Sequence, residues 1–261
     1  MSDSGQLPKT HRHWDAATYD VVSDPMTRWG VGVLERLELE GSETVLDAGC
    51  GSGRVTEQLV ARLPRGHVVG LDAAASMLDE ARRRLEPFAD RVSLVEADLL
   101  DLRPELLDGR APVDAVLSTA TFHWVLDHDR LFRNLAGVMR PGAVLEAQCG
   151  AEGNIARLLE AVRKVGGERA GTWTYASPED THRRLRDAGF TDIEVWTHPE
   201  PTPIEPGEPL ETYLATVCLR VHVAEMRDDE RHGFLAAVAA AMPEPVIDYL
   251  RLNISARLGR G

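Results

Sequence analysis

The run Val45-Leu46-Asp47-Ala48-Gly49-Cys50-Gly51-Ser52-Gly53-Arg54 constrains this chain more than any other stretch. A short apolar segment ends in an acid and glycines follow at alternate positions, the pattern of a buried strand breaking into a tight loop before a helix. Glycines at 49, 51 and 53 permit a left-handed backbone and let a ligand lie against the main chain, where a Cβ would block it. A helix over 54–63 then turns its unpaired N–H groups toward that ligand.

Loops of this kind serve two cofactor classes, and spacing separates them. The dinucleotide pattern G-x-G-x-x-G keeps its third glycine inside the helix for close packing on the strand. This chain instead reads D-x-G-x-G-x-G, with Val55, Thr56 and Glu57 following. Asp47 would repel a pyrophosphate and attract an α-amino group. The stretch resembles motif I of the class I S-adenosylmethionine (SAM)-dependent methyltransferases, a hydrophobic pair followed by D-x-G-x-G-x-G. That resemblance implies a Rossmann-like α/β fold, SAM as cofactor, and a cofactor loop of Asp47, Gly49, Gly51 and Gly53.

Downstream segments supply the rest of a SAM site. His67-Val68-Val69-Gly70-Leu71-Asp72 reads as a second strand ending in an acid, placed where a carboxylate can take both ribose hydroxyls, with Ala73 beside it. The next helix runs from 76 to about 85, and the resemblance puts Met77 against the adenine; a side chain packed on the sheet is the alternative. A third strand over 91–95 precedes Asp98, which by resemblance accepts the adenine amino group, and Leu99, beside the ring. For Asp98 a helix cap or a solvated acid is the alternative.

The fourth strand, Val113 to Ser118, leads into Thr119-Ala120-Thr121-Phe122-His123-Trp124. Strand carboxyl ends carry the ligand sites of open α/β sheets, so Ser118 and this loop should meet the transferred methyl. Phe122-His123-Trp124 resembles the aromatic-polar-Trp segment of trans-aconitate methyltransferase-like enzymes, which carry Gln where His123 stands. His123 is the candidate general base, or a hydrogen-bond donor that orients a carboxylate; a histidine packed under a cap is the other reading. The N-P-P-Y segment of amino-methylating nucleic-acid enzymes is missing. A formal charge of -13 over 261 residues likewise disfavours a nucleic-acid partner.

Helical spacing before the first strand gives two N-terminal helices, and the resemblance lets Tyr19 close over the cofactor. Later come an Arg140-Pro141-Gly142 turn, a fifth strand over 143–148, helices over 154–165 and from Ser177-Pro178, and a sixth strand over 191–196. A proline-rich stretch over 199–209 marks a composition shift, a helical pair follows, and 247–254 alternates as a seventh strand. The predicted fold is α/β: a Rossmann-like, mostly parallel seven-stranded sheet with helices on both faces and a helical cap between strands 6 and 7. The predicted divisions are 1–40 for the arm and covering helices, 41–198 for the SAM-binding core, 199–245 for the substrate cap and 246–261 for the last strand.

Candidate substrate residues are His123, Trp124, Tyr213, Arg220, His222 and Arg251, the arginines as partners for an acidic group. No metal is expected: the three cysteines have no ligand spacing, and His11 and His13 lack a second pair. No run is apolar enough to span a membrane, no signal peptide is evident, and a cytoplasmic protein is expected. A carboxylate needs no base at pH 7, whereas a phenol, hydroxyl or ammonium does. The favoured function is carboxylate O-methylation of a small metabolite. N- or C-methylation, SAM binding without catalysis, and NAD-dependent dehydrogenation remain as alternatives.

Overall fold

Strands apolar along their whole length must be covered on both faces, and this requirement sets the architecture. The computed structural model describes residues 24–167, 173–224 and 226–260, so Tyr19 and the first expected helix lie outside the described residues. The strands are β1 (Thr44–Ala48), β2 (His67–Asp72), β3 (Val92–Glu96), β4 (Val113–Thr119), β5 (Met139–Gly150), β6 (Phe190–Pro203) and β7 (Val246–Leu258). They form one seven-stranded sheet in the order β3-β2-β1-β4-β5-β7-β6. Pairing is parallel from β3 through β5, and β7 runs antiparallel to both neighbours.

Successive residues of the central strands enter different cores, as the alternation of a strand dictates. Val45, Val68 and Ala115 pack with helices α1 (Asp24–Leu34) and α2 (Arg54–Ala61) on one face. Their neighbours Leu46, Val69 and Val116 pack with α4 (His128–Val138) and α6 (Pro178–Asp187) on the other. Helix α3 (Ala75–Leu85) follows β2 and buries Met77, Leu78, Ala81 and Leu85. The Ser177 hydroxyl caps α6 by accepting from the Asp180 N–H, as Ser-Pro at the helix start foretells.

Two expectations shift. The Arg140-Pro141-Gly142 turn survives as an irregularity inside β5: Met139 pairs with Val113, and regular pairing resumes at Val144 opposite Ala115. The proline-rich stretch expected to leave the sheet at 199 stays in it through Pro203, with Pro199, Pro201 and Pro203 opposite Leu250, Asp248 and Val246. Strand β6 lies at the sheet edge, where every second N–H points away from its partner, so alternate prolines cost the ladder nothing.

Between β6 and β7 come α7 (Glu208–Tyr213), a π-helical turn (Leu214–Cys218), α8 (Arg220–Val223) and α9 (Asp228–Ala241). They share a separate core with α5 (Ala156–Lys164) and the start of β7, through Leu158, Val162, Leu214, Val238, Ile247 and Tyr249. Helix α5 thus joins the cap instead of the expected cofactor core. Met26 and Trp29 of α1 pack against the same cluster and tie the cap to the sheet. No described helix is long and apolar enough to cross a membrane.

Candidate active site

The glycine loop folds over the carboxyl end of β1 and is stitched to the neighbouring strand. Gly49 N–H and Cys50 N–H both donate to the Leu71 carbonyl, at 2.7 and 3.0 Å. Gly49 has φ +86°, and a Cβ there would come within 2.2 Å of the Thr121 side chain, so the loop and the β4 end can be close only with glycine. At Gly51, φ is +54° and a Cβ would meet nothing within 4 Å. That glycine leaves open space on the pocket side. Gly53 serves packing, because its Cβ would press on Leu85 at 3.1 Å and on Ala81 of α3.

A pocket opens at this loop. Its lining includes Gly49, Gly51, Asp72, Ala73, Met77, Asp98 and Leu99, residues that the sequence assigned to a cofactor. Asp72 ends β2 with both carboxylate oxygens engaged: Oδ2 accepts from Gly51 N–H at 2.9 Å and Oδ1 from Ala74 N–H at 2.8 Å. Burial pushes its pKa up, opposed by the backbone N–H groups of Ala74, Gly51 and Ala73. Three backbone donors leave the carboxylate acceptor capacity for a ligand hydroxyl. Asp98 Oδ1 accepts from Leu100 N–H at 2.9 Å, so the plain cap reading holds. Its Oδ2 is buried and finds no partner among the described residues. An acceptor orphaned at the pocket wall suits an exocyclic amine, and the open space at Gly51 suits a ligand on the main chain. The residues present therefore fit SAM.

Three of the assigned residues stand outside this lining. Asp47 lies behind the loop, where Oδ2 accepts from the Thr56 hydroxyl at 2.6 Å. Burial pushes its pKa up to about 6, with Thr56 lowering it and Asp72 raising it. Ser118 donates its hydroxyl to the Ala48 carbonyl at 2.7 Å and locks β4 to β1 instead of facing a ligand. Gly53 packs helices, as above.

A second pocket adjoins the first, and Met26, Ala120 and Trp124 line both. Its other walls include His123, Asn154, Trp173, Tyr175, Tyr249 and Arg251. Ala120 turns the chain between the two with φ +55°, its N–H donating to the Gln148 carbonyl at 2.7 Å. Of the expected substrate residues, His123, Trp124 and Arg251 meet here. Tyr213, Arg220 and His222 stand behind the walls as supports. The Tyr213 hydroxyl lies 2.9 Å from that of Tyr249, Arg220 sits 5.9 Å over the Trp124 ring, and the His222 ring is 5.6 Å from Trp173. Burial draws the Arg220 pKa down to about 10.

His123 settles into one tautomer. Its Nδ1 accepts from Gly150 N–H at 3.3 Å, and a backbone N–H can only donate, so the proton sits on Nε2. Burial, the Arg251 guanidinium and His128 hold the imidazole well below the usual histidine range. The ring is a neutral donor. A general base would need a bare Nε2, so the base reading loses to the donor reading.

Arg251 is the buried cation of the second pocket, 3% exposed. Its guanidinium lies 4.7 Å from the Trp29 ring centroid, and Nε donates to Gln148 Oε1 at 3.3 Å. Sequence reasoning missed Trp173, Tyr175, Tyr249, Asn154 and Met26. The W-x-Y spacing of Trp173 and Tyr175, and Tyr249 two residues before Arg251 on a strand, were the available signals.

Residues 45–142 match the family model described as a methyltransferase domain. The chain is 35% identical over 185 residues to the trans-aconitate 2-methyltransferase of Methylobacterium nodulans, covering 70% of this chain and 66% of that one. To the enzyme of the same name from Methylobacterium radiotolerans it is 30% identical over 241 residues, covering 88% of each. The chain belongs to the class I SAM-dependent methyltransferases. The Haemonchus contortus phosphoethanolamine N-methyltransferase 2 complex with S-adenosylhomocysteine (SAH) shares the fold, with a TM-score of 0.62 at 17% identity over 94% of this chain and 57% of that one. For this methyltransferase, the pocket at the glycine loop is the candidate SAM pocket and the second is the candidate acceptor pocket.

Proposed function

We propose that this methyltransferase transfers the methyl of SAM to a carboxylate of a small acid held in the second pocket, with trans-aconitate the first acceptor to try. The observation that carries the reading is Arg251, a buried guanidinium lining that pocket beside a neutral histidine donor. Bound SAM supplies a methyl group already activated on a sulfonium. The chain's own work is to bind, orient and exclude water. Arg251 and His123 Nε2–H would hold carboxylate oxygens, and Met26, Ala120 and Trp124, which line both pockets, would flank the path between them. A carboxylate is ionised at pH 7, so no residue need take a proton. Trp124, Trp173 and Tyr175 keep water from the acceptor, which matters where opposite charges cancel in the step.

The names of the Methylobacterium relatives point the same way. The cap helices between β6 and β7, joined by α5, act as the roof of the acceptor pocket. Three buried, free cysteines suit a cytoplasmic location, and the net charge of -13 speaks against a nucleic-acid acceptor.

The test supplies SAM with a panel of carboxylates, phenols and amines, trans-aconitate among them. Turnover should be confined to carboxylates and weakened through a raised acceptor KM in Arg251→Gln while SAM affinity is retained. Turnover of amines or phenols by the wild-type protein would refute the reading.

A further inference from the structure

Arg251 is joined through Gln148 to a polar ladder that crosses β5 and β7. Opposed residues in the register are Gly150 with Arg251, Gln148 with Asn253 and Glu146 with Ser255. From Arg251 to Asn253 the bonds run in one direction. Arg251 Nε donates to Gln148 Oε1 at 3.3 Å, and Gln148 Nε2 donates to Asn253 Oδ1 at 3.0 Å. Asn253 Oδ1 also accepts from Arg36 Nη1 at 3.0 Å, and its amide donates to His198 Nδ1 at 2.8 Å. Arg36 is anchored in turn: Nε pairs with Glu146 Oε2 at 2.7 Å, and Nη2 donates to the Ala147 carbonyl at 3.1 Å. The Ser255 hydroxyl donates to the other Glu146 oxygen at 2.5 Å.

With two donors on its oxygen and an acceptor at its nitrogen, the Asn253 amide can face only one way. It therefore fixes Gln148, whose nitrogen must point to Asn253 and whose oxygen must point to Arg251. Gln148, Asn253 and Glu146 are all buried, where a half-satisfied polar network costs more than an apolar core. The backbone of the same Gln148 seats Ala120, the turn between the two pockets. None of the ladder's side chains lines the pocket at the glycine loop.

We infer that Gln148, fixed by Asn253 and the Arg36–Glu146 pair, is a positioning residue that aims the Arg251 guanidinium into the acceptor pocket. The inference rests on the reading of Arg251 as the partner of the acceptor's carboxylate. Misplacing a binding group by about 1 Å can cost up to about a hundredfold, so the ladder has a catalytic consequence without touching the acceptor.

The experiment uses the full chain with Gln148→Met, Gln148→Glu, Arg251→Gln and the Gln148→Met/Arg251→Gln double variant, with trans-aconitate as the acceptor probe. Gln148→Met should raise the trans-aconitate KM about tenfold, with kcat and SAM affinity within about twofold. Gln148→Glu keeps an oxygen for Nε but neutralises the cation, and should raise KM as far as Arg251→Gln does. In the double variant Gln148→Met should add less than about twofold to the loss from Arg251→Gln alone, because both act through one guanidinium. A purely structural role would add its whole effect again, with SAM affinity falling in step, and would overturn the inference. A crystal structure of Gln148→Met without acceptor gives the second readout: the guanidinium should leave its seat over Trp29, and a side chain that stays in place overturns the inference whatever the acceptor. If Arg251→Gln leaves KM unchanged, the reading of Arg251 fails. If it raises KM while Gln148→Met moves neither KM nor the guanidinium, the positioning inference alone fails.

Discussion

Replacing Asp72 tests the cofactor site at its most constrained residue. The carboxylate holds the glycine loop through Gly51 N–H at 2.9 Å and the start of α3 through Ala74 N–H at 2.8 Å, and it keeps acceptor capacity for a ligand hydroxyl. Asp72→Ala orphans both N–H groups and removes a charged acceptor from the ligand. A hydrogen bond to a charged group contributes about 1.5–3 kcal/mol, so SAM binding should weaken by about 2 kcal/mol, or some thirtyfold in Kd. Asp72→Asn keeps one acceptor oxygen and should fall between wild type and alanine. Because burial raises the Asp72 pKa, the ionised form that binds hydroxyls is lost on acidification earlier than for an ordinary carboxylate. SAM affinity should therefore fall as pH drops through that raised pKa, and the fall should vanish in Asp72→Asn. Calorimetric titration with SAM and SAH, beside thermal melts of the apo proteins, separates binding from folding. A Kd for Asp72→Ala within twofold of wild type would refute the assignment.

Gly49→Ala should lower the melting temperature by about 5 °C, because a left-handed alanine costs about 1–2 kcal/mol before its Cβ meets Thr121; an unchanged melt would show that the loop relaxes freely. His123→Gln keeps a side-chain donor and should retain most activity, while His123→Leu should raise acceptor KM. The wild-type rate should show no histidine step between about pH 6 and 9, since the imidazole is already neutral there; such a step would restore the base reading. Asp47, buried with a pKa near 6, binds its proton more tightly folded than unfolded. Its stabilising contribution is complete below about pH 4 and is lost as pH rises through 6, a change of about 3 kcal/mol. Asp47→Asn keeps an oxygen for Thr56, so denaturant melts should show its advantage over wild type growing between pH 4 and 6 and flat above; a constant difference would contradict the raised pKa.

Local chemistry made most of the cofactor side readable. Asp72 ends β2 and Asp98 lies just past β3, so their position at the sheet's carboxyl edge follows from the strand order along the chain. Asp47 and Ser118 look equally polar in sequence, yet their partners, Thr56 and the Ala48 carbonyl, are set by packing that no local pattern encodes. The acceptor side was harder for the same reason. Trp173 and Tyr175 sit in a connection without periodicity, and Met26 reaches both pockets from a helix that also packs against the cap. The proline run misled because prolines signal a break in general, while an edge strand accepts them in alternation. Gln148 and Asn253 carry no sequence signal at all; only the pairing of β5 with β7 makes them neighbours.

The bond that carries the transferred methyl tests the central claim most directly. Wild-type protein is incubated with methyl-tritiated SAM and trans-aconitate or another small acid, and the isolated product is treated with mild base. Carboxylate transfer predicts a methyl ester, with the label released as volatile methanol. Label that resists base, on an ether, amine or carbon, would contradict carboxylate transfer and with it the role given to Arg251.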